Sequence, residues 1–108
     1  MKVWLDDERP MPSEFDCHAK TAGEAIALLV RGTVTIISLD HDLGDEQNGT
    51  GYDVACFIEQ AAYSGQLDPI KVKIHSANPV GRARMEQAIL RAETFWNSSN
   101  NQQNPNRG

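Results

Sequence analysis

The chain has 108 residues, of which 40% are hydrophobic and 23% are charged, and its formal net charge is −5 at pH 7. These values are typical of one globular domain and exclude disorder along the whole chain. The acidic balance argues against strong duplex nucleic-acid binding, and no run reaches the ~20 apolar residues of a membrane span. The chain opens without the apolar core of a secretory signal, and its two cysteines are widely spaced, so we expect a cytoplasmic protein with free thiols.

Alternating apolar and polar segments predict a small α/β domain. In chain order the predicted elements are β1 (residues 2–6), β2 (16–19), α1 (22–31), β3 (34–39), α2 (51–64), β4 (70–74) and α3 (79–95). Thr21 and Glu24 form the sequence pattern of a capping box at the start of α1, and Gly32 and Gly65 are predicted to end α1 and α2. The Asn78-Pro79 pair is typical of the start of a helix.

The strand sequences predict a mostly parallel sheet of about four strands, covered by about three helices. β3 is apolar on both faces, as expected for a central parallel strand. In β4, Lys71 and Lys73 alternate with apolar residues, which is typical of an edge strand. We expect an α/β domain over residues 1–96 and a disordered polar tail over residues 97–108.

Three predicted strands end at ionisable residues. β1 ends at Asp6 and Asp7, β3 is followed by Asp40 and Asp42, and β4 is followed by His75. The carboxyl ends of parallel strands meet at one rim of the sheet, where ligands bind in open α/β folds. Crowded carboxylates are costly without a cation, and Mg²⁺ and Mn²⁺ prefer oxygen ligands. We therefore predict a Mg²⁺ or Mn²⁺ site formed by Asp6, Asp7, Asp40 and Asp42, the alternative being solvated acids that cap strand ends.

Two histidines next to these acids indicate proton transfer. His41 lies between Asp40 and Asp42, and His75 follows β4. We predict Asp40, His41 and His75 as catalytic residues, with the histidines acting as general acid and base. The alternatives are that the histidines bind a softer metal or that they are purely structural. The Asp-x-Asp spacing also fits a nucleophile with a second acid, as in aspartyl-phosphate phosphohydrolases, but that motif normally opens the fold and here it lies mid-chain.

A phosphate site is predicted where α3 begins. Ser76 and Asn78 precede the helix, and backbone N–H groups at a helix N-terminus beside a hydroxyl form an anion site. Arg82 in the first turns is the cation expected to reach a phosphate, with surface solubility as the alternative. The expected partner is a small phosphorylated ligand or an RNA end, and the oligomeric state is left open.

The residues at the strand ends resemble those of response-regulator receiver domains. By that resemblance Asp6 and Asp7 match the metal-binding acids, Asp40 the phospho-accepting aspartate and Ser76 the switch hydroxyl, while Asp42 falls where a receiver offers a backbone carbonyl to magnesium. The chain departs from a receiver in lacking the fifth strand with its lysine and the first crossover helix. These departures argue against phosphorelay signalling.

The fuller set of motifs, LDDERP, ISLDHDLG, GTGYDVA and HSANPVGRARM, resembles the cyclic-phosphate-processing receiver domains of prokaryotes and phages. The resemblance covers nearly all of residues 1–93. It implies a receiver-like fold that binds or hydrolyses a cyclic phosphate on a nucleotide or RNA end. The first hypothesis is therefore a metal-dependent phosphoesterase, and the alternative is a non-catalytic pseudo-receiver that binds a phosphorylated ligand or docks a partner protein.

Overall fold

The fold is a four-stranded sheet with three helices, as the sequence predicted. The computed structural model describes the backbone of residues 1–102 and the side chains of residues 1–98. Its elements are β1 (Lys2–Leu5), β2 (Cys17–Ala19), α1 (Ala22–Val30), β3 (Ile36–Leu39), α2 (Gly51–Tyr63), β4 (Lys71–Ile74) and α3 (Pro79–Gln102), with a 3₁₀ turn at Glu46–Asn48 before α2.

The strands are all parallel and lie in the order β2-β1-β3-β4. β4 is an edge strand, as its alternating lysines predicted, and within residues 1–102 no fifth strand follows it. The connection from β1 to β2 contains no helix, which confirms the predicted absence of the first crossover helix. Both cysteines are free, as expected from their spacing.

The helices and the hydrophobic core lie on one face of the sheet. Both helical crossovers, β2-α1-β3 and β3-α2-β4, carry the chain across the sheet in the same direction. Because such crossovers are right-handed, α1 and α2 cover the same face, and α3 packs against α2. The core contains the alternate strand residues Val3, Leu5, Ile37 and Leu39. The opposite face is covered near β1 by the loop of residues 6–16, whose Phe15 packs edge-on against Trp4.

The helix starts follow the predicted caps, with one difference. Thr21 Oγ1 accepts from the Glu24 N–H at 3.1 Å, but the Glu24 carboxylate accepts from the Lys20 N–H, so the predicted capping box is only half formed. A complete capping box lies instead at α2, between Thr50 and Asp53. Pro79 is the first residue of α3, as predicted.

The predicted end of α3 at Phe95 is wrong, because the helix continues to Gln102. The prediction relied on the loss of apolar residues after Trp96. No glycine or proline interrupts the chain before Pro105, so each added residue still gains a helical hydrogen bond. The rest of the predicted tail, residues 103–108, lies outside the described residues. Within residues 1–102, no helix has both the length and the apolar character needed to cross a bilayer.

Candidate functional site

The sheet ladder continues one residue past three strands, and this places the candidate site. The N–H of Asp6 donates to Ala19 O at 3.1 Å, that of Asp40 to Leu5 O at 3.0 Å, and that of His75 to Leu39 O at 3.0 Å. The side chains of Asp6, Asp40 and His75 therefore continue the strand alternation. They point to the sheet face opposite the helices, at its carboxyl rim.

These three side chains form a compact cluster. Asp6, Asp40 and His75 each offer one ligand atom, and all three atoms lie within 4.8 Å of one another. Asp6 is 1% exposed and Asp40 is 9% exposed, so two carboxylates share a site with little water. The structure thus brings together the acids that the sequence predicted from separate strands.

Asp6 is held as a carboxylate by several hydrogen bonds. Its Oδ1 accepts from the N–H groups of Glu8 at 2.8 Å and Arg9 at 2.9 Å, and its Oδ2 lies 3.0 Å from His75 Nε2. Burial alone would raise the pKa of Asp6. The two backbone donors and His75 outweigh burial, so the pKa of this carboxyl is lowered. These hydrogen bonds therefore stabilise the ionised form of Asp6.

The pKa of Asp40 is shifted in the opposite direction. Its Oδ1 accepts from the His41 N–H at 2.8 Å. Burial raises the pKa of Asp40, this hydrogen bond opposes the rise, and the nearby charge of Asp6 adds to it, so the net pKa is raised. A buried acid pair with one raised and one lowered pKa is typical of functional sites, because a bound cation would relieve the repulsion.

His75 lies behind the acids and both of its nitrogens have partners. Nε2 faces Asp6, and Nδ1 lies 2.7 Å from Ser38 Oγ. Burial lowers the pKa of His75 and the carboxylate of Asp6 only partly offsets this, so the ring is neutral at pH 7. Because Asp6 can only accept, Nε2 donates to it and Nδ1 accepts from Ser38. The ring also stacks on Trp4, with centroids 3.8 Å apart and planes 6° from parallel.

A cavity of about 340 Å³ opens in front of the acid pair. It is lined by polar groups from the three strand ends and the loops that follow them: Asp6, Asp7, Glu8, Arg9, Asp40, Asp42, Gly44, Ala77 and Asn78. All four predicted metal ligands line this cavity. The Asp7 carboxylate lies close to the backbone of Gly44, whose positive φ of 83° lets the chain turn there.

Gly51 holds the Asp40 backbone in place. Its N–H donates to His41 O at 2.9 Å, and a Cβ at this position would overlap Asp40 O. A glycine is therefore required where α2 begins against the end of β3. The Gly-rich segment that follows the rim acids in the sequence serves close packing at this point.

His41 and Asp42 interact with each other at the edge of the cavity. His41 Nδ1 lies 2.9 Å from Asp42 Oδ1, and Asn78 Nδ2 lies 3.4 Å from Asp42 Oδ2. The His41 hydrogen bond lowers the pKa of Asp42. The His41 ring packs on Gly81, where a Cβ would overlap it, and His41 does not line the cavity.

Of the three residues predicted to bind phosphate, the structure brings only Asn78 to the cavity. Asn78 lines the cavity, whereas Ser76 is buried and its Oγ accepts from the Asn78 N–H at 3.1 Å. Arg82 lies outside the cavity: Nη1 donates to Ile74 O at 3.2 Å, and Nε pairs with Glu86 at 3.3 Å. The cation that the structure places at the cavity is Arg9.

Sequence reasoning missed three residues that organise this site. Arg9 Nη1 donates to His75 O at 3.1 Å and lies 3.5 Å from Asp6 Oδ2. His18 Nε2 lies 2.7 Å from Asp6 O, and Ser38 orients the His75 ring. The position of Arg9, directly after Asp6-Asp7-Glu8, was a signal that it belongs to the same loop. No comparable signal marked Ser38.

The comparison with protein families identifies the chain. The family model described as the cyclic-phosphate processing receiver domain matches residues 1–91. The chain belongs to this family. The predicted resemblance is thus confirmed, and the receiver-like order of strands agrees with it. A search of curated proteins and a search of solved structures each gave no match.

The donor set of this receiver domain suits a hard divalent cation. Asp6 and Asp40 offer carboxylate oxygens at the base of the cavity, and Asp7 and Asp42 offer more at its wall. Oxygen ligands favour Mg²⁺ or Mn²⁺ over softer metals. His75 fits the role of a residue that orients Asp6, because both of its nitrogens are already hydrogen-bonded.

Proposed function

We propose that this receiver domain is a metal-dependent hydrolase that opens a cyclic phosphate. The observation that carries the proposal is the pair of buried carboxylates, Asp6 and Asp40, at the base of a polar cavity. Two such acids held within 4.8 Å of each other are costly without a cation. Membership of a cyclic-phosphate processing family supplies the substrate class.

Asp6 and Asp40 would hold the cation, with Asp7 and Asp42 available at the cavity wall. When bound, Mg²⁺ or Mn²⁺ would neutralise the charge that develops on the phosphate in the transition state. His75 keeps Asp6 oriented through its Nε2, and Ser38 keeps the ring in the required tautomer. In this scheme His75 acts as a positioning residue.

Arg9 and Asn78 are the groups available to hold the phosphate. Arg9 lines the cavity, and its guanidinium also donates to His75 O, which directs it toward the acid pair. Asn78 also lines the cavity, directly before the start of α3. Ser76 contributes indirectly, because its hydroxyl accepts from the Asn78 N–H. This assignment gives Arg9 the role that the sequence suggested for Arg82.

In this proposal Asp42 accepts a proton from the attacking water. It lines the cavity, its side chain is exposed, and it is hydrogen-bonded to His41. In the reaction one P–O bond forms to water and one P–O bond to the sugar breaks. The sugar oxygen takes up a proton from solvent and leaves as a hydroxyl, Asp42 then releases its own proton to solvent, and the product is a phosphate monoester.

A binding module without chemistry is the second candidate, and one observation favours it. Neither histidine predicted to move protons faces the cavity freely, because His75 has a partner on each nitrogen and His41 packs against Gly81. A pseudo-receiver that binds a phosphorylated ligand at the same acid and arginine groups needs no proton carrier.

Hydrolysis of a panel of 2′,3′- and 3′,5′-cyclic phosphates with Mg²⁺ or Mn²⁺ tests the proposal. The variants are Asp40→Asn and Asp42→Asn, and the matched control is Glu93→Gln, which changes an exposed acid of α3 to an amide. We expect turnover in the wild type and in the control, and a strong loss in both aspartate variants. Tight metal-dependent nucleotide binding without turnover on any substrate would instead establish the binding module.

A further inference from the structure

The sheet face opposite the helices carries most of the chain's lysines. The strand register aligns Lys2 with Ile36 and Lys71 in one row, and Trp4 with Ser38 and Lys73 in the next. Three of the four lysines in the sequence therefore lie on this face, and all three are exposed. No strand residue of this face is acidic within the described sheet, although the overall net charge is −5.

This lysine face, formed by Lys2, Lys71 and Lys73, leads directly to the candidate site. Asp40 and His75 occupy the row that follows Ser38 and Lys73 along the sheet. At about 3.3 Å per residue, Lys73 lies roughly 7 Å from the rim row and Lys71 roughly 13 Å. If the terminal phosphate of a polyanion lies in the cavity, the phosphates that precede it along the strand can therefore contact the lysines.

Two simpler explanations account for less of this pattern. Lysines on an edge strand prevent edge-to-edge pairing, which explains Lys71 and Lys73 but not Lys2, because β1 is an inner strand. Protein interfaces are depleted in lysine and have an apolar centre, whereas Ile36 is the only half-buried apolar side chain among these strand positions. The charge of the face fits a polyanion better than a protein.

We propose that the lysine face binds the backbone of single-stranded RNA whose terminal cyclic phosphate enters the rim cavity. The choice of a cyclic-phosphate end rests on the proposed function, and a 2′,3′-cyclic phosphate requires the ribose 2′-hydroxyl of RNA. The substrate class is then an RNA end in preference to a mononucleotide. Trp4 is covered by Phe15 and His75 and offers no exposed ring for base stacking, so recognition is independent of sequence.

One acidic residue lies near the lysine face and reduces the RNA affinity expected from the nearest lysine. The Asp16 carboxylate accepts from the Lys2 N–H at 2.7 Å, at the amino end of β1. Lys2 is therefore expected to contribute less than Lys71 and Lys73. Since each phosphate contact on a single strand contributes about −0.7 to the slope of log affinity against log salt, three lysines predict a slope of about −2.

Fluorescence anisotropy with a labelled decaribonucleotide tests this proposal. The probe ends in a 3′-phosphate, so binding is measured without hydrolysis, in Mg²⁺ and over a series of salt concentrations. The triple variant Lys2→Gln, Lys71→Gln, Lys73→Gln should bind at least about tenfold more weakly, with a salt slope that is shallower than that of the wild type by about 2. Lys73→Gln is compared with Arg31→Gln, which removes one charge from the end of α1, and only the former should weaken binding.

The outcomes separate this proposal from the proposed function. RNA binding that depends on the lysines supports the lysine face even if no cyclic phosphate is hydrolysed, and in that case only the hydrolase proposal fails. Wild-type affinity in the triple variant, with its circular dichroism unchanged, would overturn the lysine face. Hydrolysis of cyclic mononucleotides with no measurable RNA binding would also overturn it, while leaving the hydrolase proposal intact.

Discussion

Replacing Asp40 with asparagine tests whether charge crowding at the rim opposes folding when no metal is bound. Asparagine has nearly the same shape, and its Oδ1 can still accept from the His41 N–H, which lies 2.8 Å from Asp40 Oδ1. The change therefore removes mainly a negative charge. Asp6 remains ionised, because its pKa is lowered in the folded protein.

The size of the effect follows from the spacing of the cluster. Two unit charges 4.8 Å apart, the limit of the cluster, repel by about 3.5 kcal/mol at an effective dielectric constant of ~20. The attraction of Asp40 to the guanidinium of Arg9 offsets part of this repulsion. We expect the metal-free variant to be more stable than wild type by about 1–2 kcal/mol, with Tm higher by about 4–8 °C per kcal/mol.

Urea denaturation in EDTA measures the difference in unfolding free energy between the variant and the wild type. The same titration in Mg²⁺ measures how much stabilisation by the metal the variant has lost. The wild type should gain about 1.4 kcal/mol at ten times its Kd for Mg²⁺, and the variant should gain much less. Asp42→Asn is the matched control and should not be stabilised, because Asp42 is exposed and its pKa is lowered by His41. Lower stability of Asp40→Asn in EDTA would show that charge repulsion at the rim does not oppose folding. An undiminished gain in Mg²⁺ would show that Asp40 does not contribute to metal binding.

Three further predictions concern the same rim. The pKa of Asp40 is raised from its ordinary value of 3.8 in the folded protein, so the wild type loses stability as pH rises from 3.8 through the folded pKa. The difference in unfolding free energy between Asp40→Asn and wild type in EDTA should therefore widen above pH 3.8, and a difference independent of pH would contradict this. Gly81→Ala should destabilise by about 1–3 kcal/mol in urea denaturation because its Cβ overlaps the His41 ring, whereas Gly23→Ala, whose Cβ meets only ordinary contacts, should not. His75→Phe should weaken Mn²⁺ binding about 10–100-fold in calorimetry, and unchanged affinity would remove its positioning role.

The sequence was most informative where buried strands end. An apolar run that stops at Asp40, and another that stops at Asp6, predict both the parallel sheet and the meeting of the two acids, because parallel strands share one carboxyl rim. The strand lysines Lys71 and Lys73 likewise predicted the edge position of β4. Each of these predictions depends only on local pattern and on a general rule of sheet topology.

The directions of the side chains could not be predicted from the sequence. Arg9 reaches the cavity because the loop after β1 folds back over Trp4, whose Nε1 donates to Arg9 O at 3.3 Å, and no local pattern specifies that path. Arg82 was placed correctly in the first turns of α3, but a helix start does not specify where a long side chain points, and its guanidinium turns to Glu86. The neutral state of His75 depends on burial that only the folded chain defines.

The proposed function requires that the rim acids bind a divalent cation next to the phosphate that is processed. Paramagnetic broadening by Mn²⁺ tests it most directly, followed in ¹H–¹⁵N spectra of the protein and in the ³¹P resonance of an added 2′,3′-cyclic nucleotide. We expect the amide signals of Asp6–Arg9, Asp40–His41 and His75–Asn78 to broaden first and the ³¹P signal to broaden with them. Asp40→Asn should abolish both effects. Broadening confined to the other exposed acids, Asp45 and Glu46, with a sharp ³¹P signal, would contradict it.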